Sequence, residues 1–200
     1  MTKSTSEYVS IDRTKTLQED PSRGHNRWHP DIKPAVEVEP GTIVGLETRD
    51  AFDGIIKPDT QASDLANAKL SVVHPLTGPV YVKGAEPGDV LEVTVVEVAP
   101  EKFGFTVQVP GFGFLRDEFT EPYLVRWNIG DGFATSDELP GVRIPGAPFM
   151  GVIGLAPSHD LLEQINRREA ALAERGGVVL LPDPEDAIPA GGGLSLIHIS

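Results

Sequence analysis

The 200 residues contain no cysteine. That absence removes disulfides, thiolate-bound metals and a cysteine nucleophile together, so any metal must be held by His, Asp, Glu, Asn or backbone oxygen. No apolar run approaches the length of a membrane span. The N-terminus is polar and mixed in charge, without the apolar core of a secretory signal, so the expected compartment is the cytoplasm, with no membrane partner. Positive charge is scarce: 17 Lys and Arg stand against 30 Asp and Glu, a net charge of −13. Nucleic-acid binding needs clustered Lys and Arg to neutralise phosphates, which excludes that class and disfavours anionic substrates. A small neutral substrate needs no electrostatic steering. Familiar catalytic patterns are missing as well: there is no G-x-S-x-G elbow, no H-E-x-x-H and no P-loop.

What is present begins with 18 Pro and 21 Gly, which argue against long helices and for short strands joined by turns. Five Pro-Gly pairs (Pro40-Gly41, Pro87-Gly88, Pro110-Gly111, Pro140-Gly141 and Pro145-Gly146) suit type II turns, because proline presets φ at the first central position and glycine accepts positive φ at the second. Strands are expected at residues 42–47, 90–98 and 105–109. In the second of these the alternation slips near Val95-Val96, as a bulge or a strand buried on both faces would require. Glu39-Pro40-Gly41-Thr42 echoes Glu86-Pro87-Gly88-Asp89, a weak sign of a duplicated hairpin. One surface helix is predicted over residues 159–175, capped by Asp160 with Glu163 or by Ser158, with Leu161, Ile165 and Leu172 as its apolar stripe and Gly176-Gly177 as its stop. A short strand is expected at residues 178–181. Residues 1–23 read as a mobile or surface-draped arm, residues 24–190 as one domain, and the apolar tail of residues 191–200 as an artefact of a truncated reading frame.

The densest coordinating chemistry lies in His25-Asn26-Arg27-Trp28-His29-Pro30-Asp31. Such a run either binds a metal or substrate, or ties the N-terminal segment down by hydrogen bonds. Asp50-Ala51-Phe52-Asp53-Gly54 follows the first strand, where carboxylates can project into a site on the sheet rim. His25, His29 and Asp50 together form a candidate set for a divalent metal, zinc first. Asp50 is preferred over Asp53, whose following glycine marks turn chemistry; Asp50 could equally close an Asx turn on its own backbone. His74, in a rigid loop, joins Asp50 as a catalytic candidate, against the plainer reading of a hydrogen-bonded loop histidine. Gly111-Phe112-Gly113-Phe114 reads either as an aromatic loop in which Phe112 and Phe114 wall off a small substrate, or as a bulged turn. Asp117 and Glu118 resemble a solvated pair, and His159, at a helix start, reads as structural.

HNRWHPDI, ETRDAFDG at residues 47–54, HPLTGPVYVKGAEPGDVLEV at residues 74–93, PGFGFLRDEF at residues 110–119 and PGVRIPGAPFMGVIGLAPS at residues 140–158 occur in one order and spacing. In these motifs the chain resembles the N-terminal half of the acetamidase/formamidase family of linear-amide hydrolases. The resemblance implies a mainly β, jelly-roll-like sandwich, left incomplete here, and hydrolysis of formamide- or acetamide-like substrates to a carboxylate and ammonia. It also implies a homo-oligomer at full length. A further acidic segment, G-D-x-H-x-x-Q-G-D-G-E, belongs to the family's second half and has no counterpart in this chain. The chain alone is therefore expected to be an inactive fragment. The expected mechanism is attack of water on the amide carbonyl, assisted by a metal or a carboxylate, with an acid protonating the leaving ammonia. The competing expectation is a non-catalytic β-sandwich binding or assembly module. Geometry separates the two, since an enzyme needs His25, His29 and Asp50 to converge.

Overall fold

A computed structural model describes residues 7–177, 179 and 185–190. Among these lie strands β1 (Glu7–Val9), β2 (Gly24–His25), β3 (Val36–Val38), β4 (Val44–Leu46), β5 (Leu76–Thr77), β6 (Val80–Val82), β7 (Phe103–Gln108), β8 (Tyr123–Gly130), β9 (Phe133–Thr135) and β10 (Arg143–Pro145), with one α-helix, α1 (His159–Glu174). Among the described residues the chain is thus mainly β with a single α-helix. It divides into two compact units: the first takes its described residues from Met1–Ile55, Lys69–Glu92 and Gly154–Ser200, the second from Ile56–Ala68 and Val93–Ile153.

In the first unit the sheets are small. β1 runs parallel to β4, β3 runs parallel to β6, and β2 pairs antiparallel with β5. Its core includes Val9, Leu17, Val38 and Val73. From Glu7 onward the segment expected as a mobile or surface-draped arm contributes β1 and core residues to this unit. Val9 and Leu17 are its anchors, each almost fully buried, and Gly24 leaves room for Leu17, whose Cδ1 lies 2.9 Å from where a Cβ would stand.

In the second unit an antiparallel sheet runs in the order β10-β9-β8-β7. Asp131 and Gly132 both take positive φ (51° and 77°), the conformation of a two-residue hairpin loop whose twist matches its strands. Arg126 on β8 pairs with Glu138 and donates to the backbone oxygens of Pro58 (3.1 Å) and Thr60 (3.4 Å). The Ser136 hydroxyl and the Arg126 guanidinium hold the Glu138 carboxyl down at a pKa of about 2.

The local turn chemistry follows the sequence closely. At Pro40-Gly41, Pro87-Gly88, Pro110-Gly111 and Pro140-Gly141 a backbone N–H bonds the carbonyl three residues earlier, with glycine at positive φ. Pro145-Gly146 differs: Pro145 ends β10, and the Gly146 N–H goes to the Gly132 carbonyl at 2.7 Å. Helix α1 is capped by Ser158, whose side chain accepts from the Leu161 N–H, and not by Asp160. At its far end Gly176 (φ 84°) and Gly177 bond back to Ala173 and Leu172, a Schellman stop. The buried face differs from the expected stripe: Leu162 and Glu169 are inside, whereas Leu161 is exposed. The spacing Leu162, Ile165, Glu169, Leu172 is equally helical, and only packing selects between the two faces.

Residues 90–98 form no strand among the described residues, although their alternation suggests one. A strand needs a neighbour for its N–H and C=O groups, and none is there. The expected strand at residues 178–181 and the tail at residues 191–200 fall outside the described residues, Val179 excepted.

Candidate functional site

The His25–Asp31 loop starts on β2, where a side chain at Gly24 would lie 2.6 Å from the Leu76 carbonyl oxygen, so only glycine permits the close pairing with β5. His25 is buried, with Nδ1 2.8 Å from the Arg27 carbonyl oxygen. A carbonyl only accepts, so Nδ1 carries the hydrogen and Nε2 bears the lone pair. Burial pushes the imidazole pKa down, which keeps His25 neutral near pH 7, and the Trp28 ring packs edge-on at 6.0 Å.

Asn26 and Arg27 face residues 186–190. The Asn26 backbone N–H donates to the Ile188 carbonyl (3.2 Å), its amide group donates to the Asp186 carbonyl (2.8 Å), and its Oδ1 accepts from the Ile188 N–H (2.8 Å). The Arg27 guanidinium donates to the Pro189 and Ala190 carbonyls. Asp186 is in turn held by Lys69 Nζ at 2.7 Å and by the Ser71 hydroxyl, which together lower its pKa. These residues act as a clamp, satisfying buried polar groups that would otherwise each cost about 1–3 kcal/mol. His29 accepts the Asp31 N–H on Nδ1 (3.2 Å) and meets the His159 ring edge-on at 5.9 Å, while His159 Nε2 lies 3.0 Å from Asp31 Oδ1.

Asp50 is exposed. Its Oδ1 accepts the Phe52 N–H and its Oδ2 the Gly54 N–H, both at 2.8 Å, so the carboxylate closes an Asx turn. Both carboxylate oxygens of Asp50 are thus engaged by backbone N–H groups, whereas His25 and His29 each use only Nδ1 in their backbone hydrogen bonds. Among the described residues no three His, Asp or Glu side chains form a group able to hold a metal ion.

The loop at Asp50 does bring His74 to it. The His74 N–H donates to the Ala51 carbonyl at 2.7 Å, and its backbone is left-handed (φ 60°), a conformation costing a non-glycine residue about 1 kcal/mol or more. The imidazole is half-buried. Its Nδ1 is enclosed without a hydrogen-bond partner among the described residues, and burial lowers its pKa, so the ring is a neutral base near pH 7.

Asp53, set aside on sequence as turn chemistry, proves the buried carboxylate of this loop. It does occupy a turn (φ 54°), yet its Oδ2 accepts the Leu17 N–H at 2.6 Å and its Oδ1 lies 3.6 Å from Arg49 Nε. Burial raises its pKa, opposed by the Leu17 hydrogen bond and the Arg49 charge. The signal in the sequence was the pairing of Arg49 with a carboxylate four residues on.

Phe112 and Phe114 belong to the second unit, in the loop after β7. Phe114 is 86% exposed and Phe112 40%. Asp117 and Glu118 are exposed, as a solvated pair would be.

The model of the Acetamidase/Formamidase family matches residues 10–196. An acetamidase of Mycolicibacterium smegmatis is 38% identical over 176 residues, 82% of this chain and 43% of its own length. A formamidase of Methylophilus methylotrophus is 35% identical over 187 residues, 90% of this chain and 44% of its own length. Among solved structures, the gamma lactamase from Delftia acidovorans superposes with a TM-score of 0.81 at 36% identity, over 92% of this chain and 48% of that one. The chain spans less than half the length of the curated relatives it matches. No helix among the described residues is long and apolar enough to cross a membrane. A match over nearly all its residues and a shared backbone place the chain in the acetamidase/formamidase family.

Proposed function

We propose that the full-length protein hydrolyses the carbon–nitrogen bond of small neutral amides such as formamide or acetamide, in the cytoplasm and as a homo-oligomer. The observation that carries this reading is His74: a neutral, half-buried imidazole with an enclosed, unpartnered nitrogen, held in a costly backbone conformation against the Asp50–Gly54 turn. Non-glycine residues are kept in such conformations where surrounding structure over-determines them, and functional sites are where they cluster. Kinship with an acetamidase and a formamidase supplies the reaction class.

In this reading His74 takes a proton from the attacking water and returns it to the departing ammonia. Asp50 and Asp53 set the loop: Asp50 shapes its turn, and Asp53 fastens it to residue 17 and Arg49. In the longer protein the strands of this chain belong to a jelly-roll-like β-sandwich. Acetamide differs from formamide by one methyl group, worth about 1–3 kcal/mol of discrimination in an apolar pocket, so both belong in any test.

The test is ammonia release from formamide and acetamide by a chimera joining this chain to the portion of the Mycolicibacterium acetamidase without a counterpart here. His74→Gln should lower kcat/KM by about a hundredfold or more, with the thermal midpoint retained. An active chimera indifferent to His74→Gln would remove His74 from the chemistry, and an intact folded chimera hydrolysing no amide would remove the reaction class.

A further inference from the structure

Residues 93–100 and 147–153 of the second unit share an unusual state. Within that unit neither stretch makes a backbone hydrogen bond, either along the strands or in the turns. Both are apolar and exposed: Val96 is 70% exposed and Phe149 81%, and Val93, Val95 and Ile153 each exceed one half. Backbone N–H and C=O groups are obligatory hydrogen-bonding groups, and a run of apolar side chains beside unpaired ones is the composition of a strand without its neighbour. The alternation of residues 93–98 makes the point independently. Val93 and Val95 would fall on one face, Val96 and Val98 on the other, so a paired strand here would be apolar on both sides, as strands covered on both faces are.

We infer that residues 93–100 and 147–153 are docking strands, and that their occupant is strand-forming chain from the portion of the family's length that this chain does not span. Two observations select that occupant. The chain shares its backbone with the Delftia gamma lactamase at a TM-score of 0.81 while accounting for 48% of that chain, so more than half of the relative's chain is available to pack against the common part. A second copy of this chain fits poorly, since it would bring another net charge of −13 and another Glu97 into the same contact. Eight residues paired as a strand extend about 26 Å, so the occupant is a strand of comparable length with apolar side chains facing Val93 and Val95. The inference concerns assembly and stands whether or not the proposed amide hydrolysis does.

Hydrogen exchange tests it on two proteins as they exist, this chain and the full-length Mycolicibacterium acetamidase, both at micromolar concentration and over a dilution series. Amides of residues 93–100 and 147–153 should exchange in this chain like unstructured peptide, while the aligned segments of the acetamidase exchange slower by about a hundredfold or more. Equally fast exchange in the acetamidase would overturn the inference, as would protection of these residues in a monomer of this chain. Protection growing with concentration and tracking a dimer would assign the surface to a second copy and overturn the occupant named here. A Val93→Lys/Val95→Lys variant of this chain should keep its thermal midpoint, since those side chains meet solvent; a large drop would show them already packed and sink the idea by a separate route.

Discussion

Residues 24–31 and residues 93–100 present opposite situations in one molecule. The first stretch is rich in His, Asn and Arg, groups that lose most when taken out of water, and yet His25, Asn26 and Arg27 are buried. The second is rich in valine, which gains most from burial, and yet it is exposed. The difference lies in the partners. Asn26 and Arg27 face the Asp186, Ile188, Pro189 and Ala190 backbone, whose donors and acceptors match theirs in number and position. Residues 93–100 face no backbone of their own unit. Burial is decided by whether a complementary surface exists, and residue hydropathy ranks below that.

The contrast can be broken most sharply from the polar side. Asn26→Ala strips both the Ile188 N–H and the Asp186 carbonyl of their side-chain partner and should cost about 3 kcal/mol, read as a lower urea midpoint at unchanged slope. Gly154→Ala should follow at about 2 kcal/mol, because a methyl group there would sit 2.9 Å from the Trp28 indole and push the loop off its seat. On the apolar side, Val95→Thr should change stability by less than about 0.5 kcal/mol, as expected of an exposed position; a loss comparable to that of Asn26→Ala would erase the distinction.

Acid sharpens the comparison. His25 and His74 both have pKa values lowered from 6.5 by burial, so the unfolded chain binds more protons than the folded one over the interval between. Their contribution is complete above the ordinary histidine value and is lost as pH falls through the lowered ones. Urea midpoints should therefore drop between pH 7 and pH 5 (~2 pH units, spanning the ordinary histidine pKa), and His25→Gln should flatten that dependence. A midpoint independent of pH in the parent protein would mean that the imidazoles are not desolvated.

Much of the local structure was legible in the sequence. Four of the five Pro-Gly pairs make the expected turn, and the Gly176-Gly177 stop is where helix chemistry places it, because turns and caps are decided within a few residues. The helix face was not legible: Leu161 and Leu162 both continue a helical repeat, and only the surface beneath α1 chooses Leu162. The site divides the same way. That the Asp50–Gly54 segment is a turn was readable from the residues, and tethering by hydrogen bonds was one of the two readings open for the His25–Asp31 run. Which aspartate is buried depends on residue 17 and Arg49, and the former arrives from a segment that polarity had marked as an arm. The strand expected at residues 90–98 shows the limit plainly, for its pattern describes a surface and says nothing of what lies across from it.

The clasp of Arg126 and Glu138 has a consequence for how the molecule yields to acid. Its carboxylate remains ionised until pH falls through about 2, so that linkage persists well after the buried histidines of the first unit have taken up protons. At intermediate acidity the Arg126–Glu138 pair should therefore stay formed while His25 and His74 have begun to take up protons, an order of events that heat alone would not single out.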